Sequence, residues 1–169
     1  MHHLLVEEMK IFIQTCRGRE KMATALAEQL PTAVFIKDIG HNPTRTWLRM
    51  MASAGDDGAL FLEDDAVLCR NFEKLIYGVV DRHRESAINL FALKADRSDY
   101  YSGRHFCMAQ CYWLPTGAAA ALIEFAKTWQ GHNDDHLIDW IIRDYLKTNK
   151  LSFWQEVPGL VDHRVGPSA

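Results

Sequence analysis

Short apolar runs rich in β-branched residues alternate with longer stretches of helical period through most of this chain. That alternation restricts the fold more than any other feature. Met9-Lys-Ile-Phe-Ile-Gln-Thr15 reads as a strand. Gly18 breaks it, and Glu20 to Leu30 follows as a helix with Met22, Leu26 and Leu30 on one side, ending before Pro31. Ala33 to Lys37 reads as a second strand, and Asn42-Pro43-Thr44 opens a second helix that runs through Trp47, Leu48 and Met51 to Gly55. Asp56-Asp57-Gly58 is an acidic turn into a third strand, Leu60 to Glu63, after which Phe72, Leu75, Ile76, Val79 and Val80 mark one face of a third helix. Ala87 to Leu93 and Phe106 to Leu114 read as strands, and Pro115-Thr116 starts a helix through Trp129. Asn133-Asp134-Asp135 caps a further helix whose apolar side holds Leu137, Ile138, Ile141, Ile142 and Tyr145. Leu151 to Val157 completes the set as a last strand.

Such a pattern predicts an α/β fold, a mostly parallel mixed sheet with helices on both faces. No repeat, low-complexity tract or long linker divides the 169 residues, so a single compact domain over 1–169 is expected. Ligands of such sheets bind at the carboxyl ends of the strands. Two loops therefore matter most: Thr15 to Arg19 after the first strand, and Glu63 to Asp65 after the third.

Bulk properties narrow the partners. A hydrophobic share of 48% and a charged share of 24% are those of an ordinary globular protein. The net charge of −3, with no basic block, gives no support to nucleic-acid or membrane-surface binding. The start of the chain lacks the basic segment of a signal peptide, Glu7 and Glu8 interrupt its apolar run, and no stretch has the length of a membrane span. Cys16, Cys69, Cys107 and Cys111 are accordingly expected to be reduced thiols in a cytoplasmic protein. Cys107 and Cys111 lack two further zinc ligands nearby, which favours buried small hydrophobes over a metal site.

The stretch Ala59-Leu-Phe-Leu-Glu-Asp-Asp-Ala-Val-Leu68 sets Glu63, Asp64 and Asp65 between two apolar runs. Adjacent carboxylates repel one another unless a cation or hydrogen bonds compensate them. At a strand end they can hold a hard divalent cation, serve as acid or base, or cap the next element. The chain has no GxGxxG and no phosphate-binding P-loop pattern, so dinucleotide and Walker-type binding lack support. Arg17 and Arg19 are either phosphate or base partners or solvated arginines at a helix start. Arg45 is a weaker candidate, Trp47 a core residue. The polar, aromatic stretch Asp96 to His105 reads as a binding loop in which Tyr100 and Tyr101 can stack on a sugar.

LFLEDDAVLCRNF resembles the segment around the DxD-type motif of GT-A glycosyltransferases, most closely the family 25-like group that includes bacterial lipooligosaccharide glycosyltransferases. Two further segments agree in order. Asp135-His-Leu-Ile-Asp-Trp-Ile-Ile142 is similar to a helix start whose first aspartate is placed as the catalytic base, and Val157-Pro-Gly-Leu-Val-Asp-His163, with Gly166 and Ser168 beyond, resembles the group's closing P-x-L-V-x-H pattern. The resemblance implies a GT-A sandwich and a donor that is a nucleoside-diphosphate sugar, with a UDP-sugar favoured. It makes Asp65 and His163 the ligands of Mn²⁺ or Mg²⁺, sets Glu63 at the ribose or behind the metal ligands, and sets Asp64 beside the donor sugar. Thr15, Arg17 and Arg19 then border the nucleotide, while the Asp96 to His105 stretch borders the acceptor. Asp135 would accept the proton of the acceptor hydroxyl, although an aspartate there is also an ordinary helix cap and the helix dipole lowers its basicity; Asp134 is the alternative.

The expected activity is thus metal-dependent, inverting glycosyl transfer to an acceptor hydroxyl on a glycan, lipid-linked sugar, protein or modified nucleobase. A phage or a cell-surface glycan locus would suit so short an enzyme. Two other readings remain: a metal-dependent phosphotransferase or nuclease using the same carboxylates, and a non-catalytic nucleotide-sugar-binding protein of this fold.

Overall fold

The computed structural model describes residues 9–93, 95–131 and 138–163. In chain order, β1 (Lys10–Cys16), α1 (Glu20–Gln29), β2 (Val34–Asp38), α2 (Pro43–Ala54) and β3 (Ala59–Glu63) form the first half of the fold. They are followed by β4 (Ala66–Leu68), α3 (Phe72–His83), β5 (Ala87–Asn89) and β6 (Asp99–Ser102), with a single 3₁₀ turn at Gly103–His105. The rest comprises β7 (Cys111–Leu114), α4 (Ala118–Thr128), α5 (Ile138–Thr148), β8 (Ser152–Gln155) and β9 (Val161–His163).

Seven strands make one sheet in the order β2-β1-β3-β7-β5-β8-β6. β2, β1 and β3 are parallel, β7 runs against both β3 and β5, β8 is parallel to β5, and β6 closes the edge antiparallel to β8. Five strands therefore share one direction, the mixed and mostly parallel sheet that the strand–helix alternation predicts.

Side chains alternate across a strand, and here that alternation builds two cores. Phe12, Ala59 and Phe61 face one layer with Trp47, Met50 and Met51 of α2, Leu122 of α4 and Ile141 and Ile142 of α5. Ile11, Ile13, Leu60 and Leu62 face the other, against Leu26 of α1 and Ile76, Val79 and Val80 of α3. Central β3 is covered on both sides, so all of Ala59 to Leu62 is buried. Trp47 is a core residue as expected, fully buried, and its indole Nε1 donates to the Tyr112 hydroxyl at 2.7 Å. At the start of α2 the Asn42 side chain accepts from the Arg45 backbone N–H at 2.8 Å, with Pro43 in the first turn.

Three expectations need correcting. The strands predicted over Ala87 to Leu93, Phe106 to Leu114 and Leu151 to Val157 are shorter. Apolar content continues past the ladder in each, but Leu90 and Phe91, Phe106 and Ala109 are buried outside regular pairing. The helix predicted from Pro115 through Trp129 occupies Ala118–Thr128, beginning only after Gly117. The stretch Asp96 to His105 is not a free loop. It supplies β6, whose Tyr100 and Tyr101 lie opposite Trp154 and Phe153 of β8. Tyr101 turns to the Phe153 ring, while Tyr100 meets Trp154 edge-on and its hydroxyl lies 3.0 Å from His83 Nδ1.

Candidate functional site

The parallel register Gln14↔Glu63 between β1 and β3 brings the two flagged loops together at the carboxyl end of the sheet. Gly18 adopts φ +91°, a backbone region that a residue with a side chain enters only with strain. The tight turn it permits, with Arg19 N–H donating to Cys16 O at 3.3 Å, returns the Arg19 side chain over the acidic triplet. Arg19 Nη1 then donates to Asp64 Oδ1 and to Asp65 Oδ2, both at 2.9 Å. The other Asp64 oxygen accepts from the Cys16 backbone N–H at 3.2 Å.

His163 arrives by a separate route. β9 pairs antiparallel with β4, placing Ala66 opposite His163, and Cys69 N–H donates to Leu160 O at 2.9 Å to extend the pairing. The imidazole Nε2 comes to lie 3.2 Å from Asp65 Oδ2. The two residues named as metal ligands, far apart in sequence, are thus neighbours in space.

Burial sharpens the electrostatics. Asp64 and Asp65 are only 3% and 5% exposed. Glu63 retains some exposed area, but its carboxyl is enclosed in a narrow crevice lined by Gln14, Trp47, Met50, Tyr112 and Ile138. That burial, with the charges of Asp65, Asp64 and Asp139 adding to it and Arg19 opposing, pushes Glu63 up to about 8. Burial pulls Arg19 toward neutrality, but the hydrogen bond to Asp64 and the two carboxylate charges outweigh it and hold the guanidinium firmly charged. Burial and then Asp64 push the Cys16 thiol up, which disfavours a thiolate nucleophile there.

Three buried side-chain polar atoms lack a hydrogen-bond partner among the described residues: Asp65 Oδ1, Arg19 Nε and Gln110 Oε1. The first two belong to the acidic site, and the third comes from the residue whose carbonyl accepts the Glu63 N–H at 3.0 Å. A buried carboxylate oxygen without a donor, beside an imidazole, fits a hard divalent cation whose remaining positions are filled by water or phosphate oxygen. Among the described residues no three His, Cys, Asp or Glu side chains surround one point, so a cation here would rely on Asp65, His163 and oxygens of the ligand.

Of the remaining expectations, Thr15 is buried near the end of β1, and Arg17 is exposed without an ion pair among the described residues. Asp134, Asp135, Gly166 and Ser168 lie outside the described residues. Gln110, through its backbone carbonyl on Glu63 N–H, and Asp139, through its charge acting on Glu63, add to the expected residues. Asp139 is the second aspartate of the quoted Asp135 segment, and its position in the first turn of α5 was the available signal. All four cysteines are free. No helix among the described residues is long and apolar enough to cross a membrane. A separate cavity of about 430 Å³, lined by Glu85, Thr116, Tyr145 and Leu146 among others, lies at the opposite end of the strands.

No family model matches this chain, and no curated protein matches it in sequence. Its fold is nevertheless similar to solved structures. A Bacillus anthracis protein assigned as a glucose-1-phosphate thymidylyltransferase, in complex with sucrose, matches with a TM-score of 0.54 at 10% identity, over 92% of this chain and 89% of that one. A197 from STIV matches with a TM-score of 0.53 at 12% identity, over 94% of this chain and 87% of that one. At such identities the likeness shows the architecture alone: an α/β fold whose mixed, mostly parallel sheet is covered by helices on both faces.

Proposed function

We propose that the protein is a metal-dependent glycosyltransferase that moves a sugar from a nucleoside-diphosphate donor, a UDP-sugar by preference, to an acceptor hydroxyl. The observation that carries this reading is the approach of His163 to Asp65 through the β4–β9 pairing. It joins the closing motif of the resemblance to its acidic triplet, and the partnerless Asp65 Oδ1 adds a vacant acceptor at the same spot. Asp65 and His163 would hold Mn²⁺ or Mg²⁺, which when bound supplies charge neutralisation for the departing diphosphate. Asp64, anchored by Cys16 N–H and Arg19, fixes the loop after β1 beneath the nucleotide. Glu63, with its proton retained near neutral pH, can donate a hydrogen bond where an ionised carboxylate could only accept. Asp135 is the proposed base for the acceptor hydroxyl, and a single base without a carboxylate nucleophile implies inversion.

The experiment is a panel of UDP-, GDP-, CMP- and dTDP-sugars with and without Mn²⁺, followed by transfer and hydrolysis products. Turnover that needs both a nucleotide sugar and Mn²⁺, and that Asp135→Asn abolishes, is the expected outcome. Sugar-independent turnover of phosphoesters would overturn the reading. A second reading, nucleotidyl transfer from a nucleoside triphosphate to a sugar phosphate, is favoured by the similarity to the assigned thymidylyltransferase. Adding glucose 1-phosphate with dTTP or UTP to the panel, and assaying pyrophosphate release, decides between the two.

A further inference from the structure

Arg19 makes an incomplete fit with the acidic site. A guanidinium ordinarily meets carboxylates as a fork, through two nitrogens in parallel. Here one nitrogen, Nη1, serves both Asp64 Oδ1 and Asp65 Oδ2, while Arg19 Nε is buried without a partner among the described residues. Asp65 Oδ1, on the acceptor side, is likewise left over. Donor and acceptor atoms thus remain unpaired at one cluster, although burying such atoms without partners destabilises a fold. The Arg19 backbone is fixed as the N-cap of α1, its carbonyl accepting from Met22 N–H and Ala23 N–H at 3.0 Å, so a change of partner needs only rotation of its long side chain.

We propose that Arg19 is a stand-in cation. It occupies the place between Asp64 and Asp65 in the absence of metal, leaves it when a divalent cation binds, and then pairs with the diphosphate of the donor. This inference rests on the metal-dependent reading above and specifies how that site is regulated. A guanidinium and a divalent cation cannot both lie against Asp65 Oδ2 without strong repulsion. Metal binding would therefore release an arginine already poised at the rim, and the released charge would favour the ligand that the metal also needs. Metal and nucleotide would bind cooperatively, each weak without the other.

The test is Mn²⁺ affinity without nucleotide, by isothermal titration and electron paramagnetic resonance, followed by UDP affinity in saturating Mn²⁺. Arg19→Gln is expected to bind Mn²⁺ at least about tenfold more tightly than wild type, having lost its competitor, and to bind UDP more weakly. Arg82→Gln, with the same charge change at an exposed position on α3, is expected to leave Mn²⁺ affinity within about twofold. An unchanged or weaker Mn²⁺ affinity in Arg19→Gln, or an equal gain in Arg82→Gln, overturns the inference while leaving the metal-dependent reading intact. If neither wild type nor Arg19→Gln binds Mn²⁺, both fall. Because removing Arg19 could unfold the site, a wild-type crystal structure with Mn²⁺ and UDP provides the second check. The guanidinium should have left both carboxylates and reached a phosphate oxygen; a guanidinium still bridging Asp64 and Asp65 overturns the proposal.

Discussion

Two strand ends on the same edge of the sheet treat buried polar groups in opposite ways. At the ends of β5 and β8, Asn89 and Gln155 are as buried as the carboxylates of the acidic site, yet they are well satisfied. Asn89 donates to Cys107 O and accepts from Phe91 N–H, while Gln155 Nε2 reaches the carbonyls of Asn89 and Phe91. Glu156 accepts from the Trp154 indole, and the Ser98 hydroxyl ties Val157 to the segment before β6. At the ends of β1 and β3, by contrast, Arg19 Nε and Asp65 Oδ1 remain without partners among the described residues, at carboxylates that share one arginine nitrogen. The first cluster closes the backbone where the ladder stops. The second leaves charge and acceptor capacity over, at the place where the proposed metal and diphosphate would settle.

Substitutions should separate the two ends. The largest effect is expected for Asp65→Ala, with metal-dependent turnover falling on the order of 100-fold or more and little change in melting temperature. His163→Ala should weaken Mn²⁺ binding by about 10-fold to 100-fold in a direct titration, again without loss of fold. Asn89→Ala, which removes the acceptor of Phe91 N–H, should instead cost about 1–3 kcal/mol in denaturant unfolding while Mn²⁺ affinity stays at the wild-type value. A weakened metal site in Asn89→Ala would break the division between the two ends.

Glu63 offers a gentler probe. Its folded pKa lies above the unfolded one, so the native state holds a proton that the unfolded chain has released. Stability should consequently fall as pH rises from about 4.5 to about 8, with a slope of up to about 1.4 kcal/mol per pH unit for this one group. Glu63→Gln should flatten that slope in metal-free buffer, as followed by unfolding across pH. The smallest effect is expected for Tyr100→Phe on the half-exposed edge strand, within about 0.5 kcal/mol of wild type. A loss of acceptor binding there would support the binding role expected of Asp96 to His105.

Much of the architecture was legible because period and burial agree. β1, α1, β2, α2 and β3 follow their hydrophobic runs closely, since each run has a core layer to face. β6 was missed because Asp-Tyr-Tyr-Ser is an edge strand with polar ends, and its stabilising contacts, Trp154 and Phe153, come from far along the chain. β4 and β9 have only three residues each, too few for period to register. Within the site, the acidic triplet stood out by charge density and His163 by its resemblance. The bridge from Arg19 to both aspartates depends on the backbone turn at Gly18 and on the β1–β3 register, neither of which is written in residue types. Gln110 was invisible for the same reason, whereas Asp139 stood in the Asp135 segment, in the first turn of α5.

The β4–β9 pair is a three-rung ribbon outside the main sheet that brings His163 to Asp65, with Val161 N–H also donating to Leu90 O at 3.3 Å. So short a ladder, with Val67 and Asp162 exposed at its middle rung while Ala66 and Val161 are buried, is expected to open at lower cost than the seven-stranded sheet. Any ligand that engages both Asp65 and His163 would hold the ribbon shut, and its binding energy would appear first as slowed amide exchange at Ala66 to Leu68 and Val161 to His163. These amides would then act as a built-in reporter of occupancy, read by hydrogen–deuterium exchange before any substrate is known.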